Sequence, residues 1–305
     1  MTHLNREQRR GVVSTIVASF FLGWAPILGK LAYAGGVTPF TLVALRTLIA
    51  ALLLWLAFLL FWRHEIVIAW RDLIGCIGVG AVNGFGSLLY FTSLSRLDAS
   101  RASLLNTLYP LWVVLFLFAA GQPLTRMTLA RLSLSMLGIY LLTRAGPGEL
   151  DWLGVVLMIS SAATYGYHLV LGQWVLADVP ARTAALYILT TMACVVGLAR
   201  VSQAQPVEPI VTAGWRAILA LGLTTALSRL AMFSGLRRLG GIETALVSLL
   251  ELLVSLVLAF LLLGERLAPV QWAGGVLLVI SLVMMARDSG MRLAESNLPP
   301  EWWQE

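Results

Sequence analysis

Apolar stretches of about 20 residues recur from one end of this 305-residue chain to the other, and each is long enough to cross a hydrocarbon core about 30 Å thick. That feature fixes the class before any motif is read: an all-α membrane protein that crosses the bilayer many times. Composition agrees. The chain is 59% hydrophobic and only 12% charged, with mean hydropathy +0.86, whereas soluble domains carry roughly 25% charged residues. The first apolar run begins at Gly11 and continues past Ala34. A cleaved signal has an apolar core of only about 7–15 residues, so this run reads as a first transmembrane helix.

Ten spans follow, at approximately 11–34, 39–62, 73–95, 100–120, 126–143, 152–175, 180–199, 215–236, 242–263 and 268–286. Residues 1–10 precede them and a polar tail, 287–305, follows. The net charge of +6 does not point to nucleic acid, because the basic residues sit singly or in pairs in short loops. Their distribution instead sets orientation. Of 21 Lys and Arg, twelve (Arg6, Arg9, Arg10, Arg63, Arg71, Arg126, Arg131, Arg182, Arg237, Arg238, Arg287 and Arg292) fall on the side that holds residue 1. Six fall on the other side, and Lys30, Arg46 and Arg229 lie within helices. The positive-inside rule then places both termini in the cytoplasm, and the expected location is a bacterial-type inner (cell) membrane.

The chain also repeats itself. Gly11, Val12, Val13, Ile16, Gly23, Leu28 and Gly29 match Gly154, Val155, Val156, Ile159, Gly166, Leu171 and Gly172. Phe91, Leu94, Arg96, Leu97 and Leu104 match Phe233, Leu236, Arg238, Leu239 and Leu246 at nearly the same offset. Two repeats, 11–145 and 152–286, therefore hold five spans each. An odd number per repeat makes the second enter the membrane from the opposite side. Such inverted repeats build a midplane site at their interface, open alternately to either side.

The pieces LGWAPILGK, TPFTLVALR and LLYFTSLSRLDASRASLLNTLYPL, followed by LRRLGGIETALVSLLELLVSLVLAFLLLGERL, resemble the EamA-type branch of the drug/metabolite transporter superfamily across nearly the whole membrane part. The resemblance implies ten helices in two inverted five-helix halves and the export of small organic metabolites, in several members amino acids, including aromatic ones. The family's Leu-Glu-Pro appears here as Leu250-Glu251-Leu252, and its Leu-Gly-Glu-Arg as Leu263-Gly264-Glu265-Arg266. The first half keeps the proline, in Tyr109-Pro110, but not the glutamate, and has Gly121-Gln122 in place of Gly-Glu. Arg46 matches the family's second-helix arginine.

Polar residues inside spans are expensive and face a cavity or a partner. Thr244, Ser248, Glu251 and Ser255 fall on one helix face; so do Asn83, Ser87 and Tyr90, with Thr225, Arg229 and Met232 at the matching places of the second half. Ser161, Tyr165 and His168 form a further stripe, and Asn106 and Tyr109 another. Candidate substrate contacts are thus Trp24, Asn83, Ser87, Tyr90, Asn106, Tyr109, Tyr165, Tyr167, His168, Arg229, Ser248 and Glu251, with Trp24 and Tyr167 paired by the repeat. Glu251 is also the candidate proton carrier: burial and a nearby arginine pull a carboxyl in opposite senses. Its other reading is an ion pair with Arg229 or Arg46. Pro26, Lys30, Arg46 and Pro110 are candidate structural or gating residues. Gly80 and Gly84, with Gly78 and Gly86 nearby, read as helix packing.

No HExxH, P-loop or GxSxG occurs, and His3, His64 and His168 are scattered. No metal, cofactor or enzyme activity is expected, nor a disulfide between Cys76 and Cys194. The partners expected are a small-molecule substrate and the lipid bilayer; the oligomeric state stays open, a monomer being the working expectation. The leading reading is a secondary exporter of small metabolites, most specifically amino acids, working by alternating access. Export of cationic drugs, carriage of nucleotide sugars, and a non-transporting scaffold or membrane-embedded enzyme are the alternatives.

Overall fold

The computed structural model describes residues 6–120, 151–204, 206, 209–248 and 250–289, with scattered helical positions through 130–141. Most of the expected fifth span and its flanking loops, and the tail after 289, lie outside the described residues. Among those described there is no strand, and each helix satisfies its own backbone where lipid offers no partner. The elements are α1 (Arg6–Leu22), α2 (Ala25–Ala34), α3 (Pro39–Phe61), α4 (Trp70–Arg96), α5 (Ala99–Asn106), α6 (Tyr109–Ala119), α7 (Trp152–Asp178), α8 (Ala181–Ser202), α9 (Thr212–Leu239), α10 (Gly241–Val247), α11 (Leu250–Leu258) and α12 (Pro269–Ser289). Seven helical stretches are long and apolar enough to cross a membrane: 6–34, 39–61, 70–96, 99–119, 152–178, 181–202 and 212–239. Leu250–Leu263 is apolar but shorter.

Three of the expected spans are broken rather than continuous. The first breaks at Gly23–Trp24, just before Pro26, and the fourth at Thr107–Leu108, just before Pro110. A proline cannot bond the carbonyl four residues back, which accounts for both. The ninth is broken between Val247 and Leu250, without a proline, and ends in a π-turn at Ala259–Leu263, closed by Gly264 in the left-handed region (φ +67).

Two pairings organise the bundle. Among the described helices, α1 packs most extensively along α9, and α4 along α7. Both pairs are antiparallel, and they are equivalent under the sequence repeat. A Cβ on Gly11 would lie 2.8 Å from Leu239; one on Gly154 would lie 3.0 Å from Leu97. The starts of α1 and α7 carry matching ion pairs, Glu7–Arg238 at 3.1 Å and Asp151–Arg96 at 2.9 Å. Asp151 also accepts a hydrogen bond from the Gly154 N–H at 3.0 Å, capping α7. That bond, with Arg96 beside it, holds the Asp151 carboxyl below the usual range. Leu94 and Phe91, near the end of α4, pack on Gly29 of α2. Helix α1 therefore starts at one end of the bundle and α7 at the other.

The buried apolar side chains form two layers. One, with Phe58, Trp174, Leu189 and Phe233, lies toward the end where α1 starts. The other, with Ile27, Leu42, Phe91 and Ile218, lies toward the opposite end. Leu48, Leu52, Leu56, Phe85, Leu223 and Val257 face outward, as a lipid-facing belt requires. Polar side chains are concentrated between the two layers.

Candidate functional site

A cavity of about 90 Å³ opens between the layers. The helix breaks shape it: Leu22, Ala25 and Pro26 line it at the first break, Ser103 and Asn106 at the fourth-span break, and Glu251, Leu252 and Ser255 below the third. Prolines at 26 and 110 leave the carbonyls of Leu22 and Asn106 without a helical donor, and both residues are on the wall. The remaining lining comes from continuous helices: Arg46 of α3, Asn83, Gly86, Ser87, Tyr90 and Phe91 of α4, Ser161 and Tyr165 of α7, and Arg229 of α9.

Hydrogen bonds tie the two halves together across this space. The Arg46 guanidinium donates to Thr225 Oγ1 at 3.1 Å and to Ser87 Oγ, and lies over the Phe91 ring at 4.4 Å. Arg229 donates to Asn83 Oδ1 at 3.2 Å. Thr225 and Arg229 occupy the repeat positions of Asn83 and Ser87, so the four form a quartet about the pseudo-twofold axis. Ser255 donates to the Gly23 carbonyl at 2.9 Å, joining α11 to the first break. Glu251 is 9% exposed, and Asn106 Nδ2 donates to its Oε1 at 3.5 Å. Among the described residues it forms no ion pair within 4 Å. The alternative reading of Glu251 as half of a salt bridge with Arg46 or Arg229 does not describe this geometry, although Arg229 is within electrostatic reach.

Of the candidate contacts, the structure brings Asn83, Ser87, Tyr90, Asn106, Tyr165, Arg229 and Glu251 to one wall, with Pro26 and Arg46. Others lie elsewhere. Tyr167 is 40% exposed and faces away from the cavity, its ring against Phe116. Trp24 is half-buried against the apolar layer that contains Ile27. Tyr109, His168 and Ser248 are buried outside the lining. Rings from Tyr109, Tyr165, His168 and Phe233 contact one another in series, with centroids 4.9, 5.7 and 5.7 Å apart. This stack runs from Tyr165 on the cavity wall into the apolar layer that contains Phe233, and Tyr109 pins it by donating to the Ala245 carbonyl at 3.2 Å. Pro110 lies at the fourth-span break but not on the wall. Lys30 is half-buried at the far end of the bundle, near the carboxylates of Asp98 and Glu265. Glu265, of the Leu-Gly-Glu-Arg element, is not among the candidate site residues. Its two oxygens accept the backbone N–H groups of Ala99 and Ser100 at 2.9 and 2.8 Å, capping α5. No group of His, Cys, Asp and Glu among the described residues could hold a metal.

A multi-pass helical membrane protein with a polar cavity between two related halves has the architecture of transporters built from internal repeats. The chain is a member of the EamA-like transporter family, whose family model matches it twice, at residues 9–144 and 152–287. It is similar to the uncharacterized transporter YcbK of Bacillus subtilis (strain 168), with 27% identity over 295 residues, 90% of this chain and 93% of that one. A protein of known crystal structure superposes with a TM-score of 0.70 at 20% identity, covering 92% of this chain and 98% of its own; at that identity the likeness concerns the fold.

Proposed function

We propose that this protein is an inner-membrane secondary transporter that exports small organic metabolites, most specifically amino acids. Its working architecture is ten spans in two inverted five-helix halves, 11–145 and 152–286, with both termini cytoplasmic. The halves rock about the central cavity, exposing it alternately to either side. The observation that carries the reading is Glu251. It lines the cavity, it is buried, and among the described residues it stands without an ion pair where a charge costs roughly 2.5–3.5 kcal/mol. A carboxyl so placed is suited to gaining a proton in one orientation of the cavity and losing it in the other, coupling export to proton entry. The mixed wall supports an organic solute: Tyr90, Phe91, Tyr165 and Leu252 supply apolar surface, while Asn83, Asn106 and Arg229 supply polar contacts.

The test is flux in proteoliposomes loaded with labelled amino acids, with and without an imposed proton gradient. Export should accelerate when protons flow inward through the counter-direction, and Glu251→Gln should remove that acceleration. Gradient-independent flux that survives Glu251→Gln would make the protein a facilitative carrier. No flux of any amino acid would overturn the substrate assignment.

A further inference from the structure

Two arginines share the cavity wall with one carboxylate, and among the described residues neither arginine has an anionic hydrogen-bond partner. Arg46 and Arg229 are 5% and 6% exposed, and they lie within electrostatic reach of each other. Their hydrogen-bond partners are the neutral groups Ser87, Thr225 and Asn83, with the Met232 sulfur 3.8 Å from Arg229. Among the described residues, no ion pair within 4 Å involves either guanidinium. Each keeps a buried Nε without a partner, and so does the Nδ2 of Asn83 between them. Two cations in a low-dielectric space repel, and unmet N–H donors there are costly.

We propose that Arg46 and Arg229 form the anion-binding half of the transport site, and that the transported solute is recognised through a carboxylate held by both. The inference rests on the transport reading given above and names the chemistry of that same site. A guanidinium presents a planar fork that matches a carboxylate, often in two parallel bonds. Glu251 on the same wall sets the charge limit. With that acid ionised, the three groups leave one positive charge uncompensated, which suits a monocarboxylate. A dianionic phosphate ester would meet the acid, and a cationic amine would meet the arginines. Glu251 and Asn106 are left to receive an ammonium group where the solute carries one. The quartet of Asn83, Ser87, Thr225 and Arg229 spans both halves, so a carboxylate bridging Arg46 and Arg229 links α3 of the first half to α9 of the second. Solute binding thus acts on the joint about which the halves move.

The experiment compares solutes that differ in one group. The full chain in lipid nanodiscs is titrated calorimetrically with phenylalanine, phenylalaninamide, 3-phenylpropanoate, 2-phenylethylamine and phenyl phosphate, and with the leucine, leucinamide, 4-methylpentanoate and isopentylamine series. The carboxylates of at least one series should bind at least tenfold more tightly than the matching amide and amine, a difference of about 1.4 kcal/mol or more. Arg46→Gln and Arg229→Gln should each abolish that preference, while Arg46→Lys retains part of it. Amides or amines that bind as well as the acids in the wild-type chain overturn the proposal, whatever the variants do. So does phenyl phosphate binding more tightly than 3-phenylpropanoate, or no carboxylate binding at all. Carboxylate-selective binding without any flux in proteoliposomes would leave this subsite standing and overturn the transport reading instead.

Discussion

Tyr165 and Tyr167 sit two residues apart on the unbroken helix α7, so their side chains point about 200° apart. Only Tyr165 reaches the cavity, with Ser161 on the same face, while Tyr167 faces outward. Helical spacing contained that answer; pairing Tyr167 with Trp24 by repeat position set it aside. Glu251, Asn83, Ser87 and Tyr90 were legible because a polar stripe in an apolar helix has few places to go. Glu265 was not, because its role depends on N–H groups some 165 residues earlier. It closes two orphan donors at the start of α5 with charge-assisted bonds, and caps of this kind contribute about 1–2 kcal/mol. Glu265→Ala should therefore lower the thermal midpoint of the detergent-solubilised protein, and Glu265→Gln should recover part of the loss. Equal midpoints for all three would show that the cap does not hold α5. At the start of the second half's first helix, Asp151 caps α7 locally, with its carboxyl held below the usual range. A depressed carboxyl stabilises the folded state above the ordinary Asp value of about 3.9 and loses that contribution as pH falls through its own lower value. Asp151→Asn should thus melt below wild type near neutral pH, and the two midpoints should converge in acid.

At the scale of the element, the breaks matter more than the spans. Apolar length located each helix, but the fourfold stripe Thr244, Ser248, Glu251, Ser255 presumed an unbroken ninth span. The break between Val247 and Leu250 divides it: Glu251 and Ser255 reach the cavity, whereas Thr244 and Ser248 are buried outside its lining. Nothing like a proline marks that break in the sequence. The glycine cluster on α4 was read as packing, and Gly80, Gly84 and Gly86 do abut α8 or α7, whereas Gly78 has no atom within 4 Å of a built Cβ. Gly23 stands at the first break, packed against α11. A Cβ there would lie 2.6 Å from Val254 and 2.9 Å from the Glu251 carbonyl. Gly23→Ala must push α11 and its acid away from the first break, at a cost of about 1–3 kcal/mol for overpacking. Flux should fall with it, while Gly78→Ala serves as a neutral companion. If Gly23→Ala transports at the wild-type rate, the first and ninth spans do not move as the contact geometry implies.

For the whole molecule, the repeat supplies a symmetric frame and the chemistry departs from it. Ser87 and Arg229 are equivalent positions, yet one is a neutral acceptor and the other a cation; the acid at 251 has no counterpart in Leu250-Glu251-Leu252's first-half equivalent around Tyr109. The frame could be read from Gly, Phe and Arg matches at a constant offset, because those residues fix close helix approaches. The hydrogen bonds of the polar centre could not, because their donors and acceptors come from six spans that meet only in the fold. Both the frame and the proposed orientation lead to one test on the matched ion pairs. Arg238 lies where α1 starts and Arg96 where α7 starts, so the proposed orientation puts the two on opposite faces of the membrane, Arg238 inside. In a background with Cys76 and Cys194 replaced by alanine, Arg238→Cys and Arg96→Cys are labelled with a membrane-impermeant maleimide in intact right-side-out cells. The thiol at 96 should react at once and the thiol at 238 only after permeabilisation. Reaction of both from the same side would break the inverted frame. The reverse pattern would keep the frame but place the termini outside, overturning the proposed orientation while leaving the inverted repeat intact.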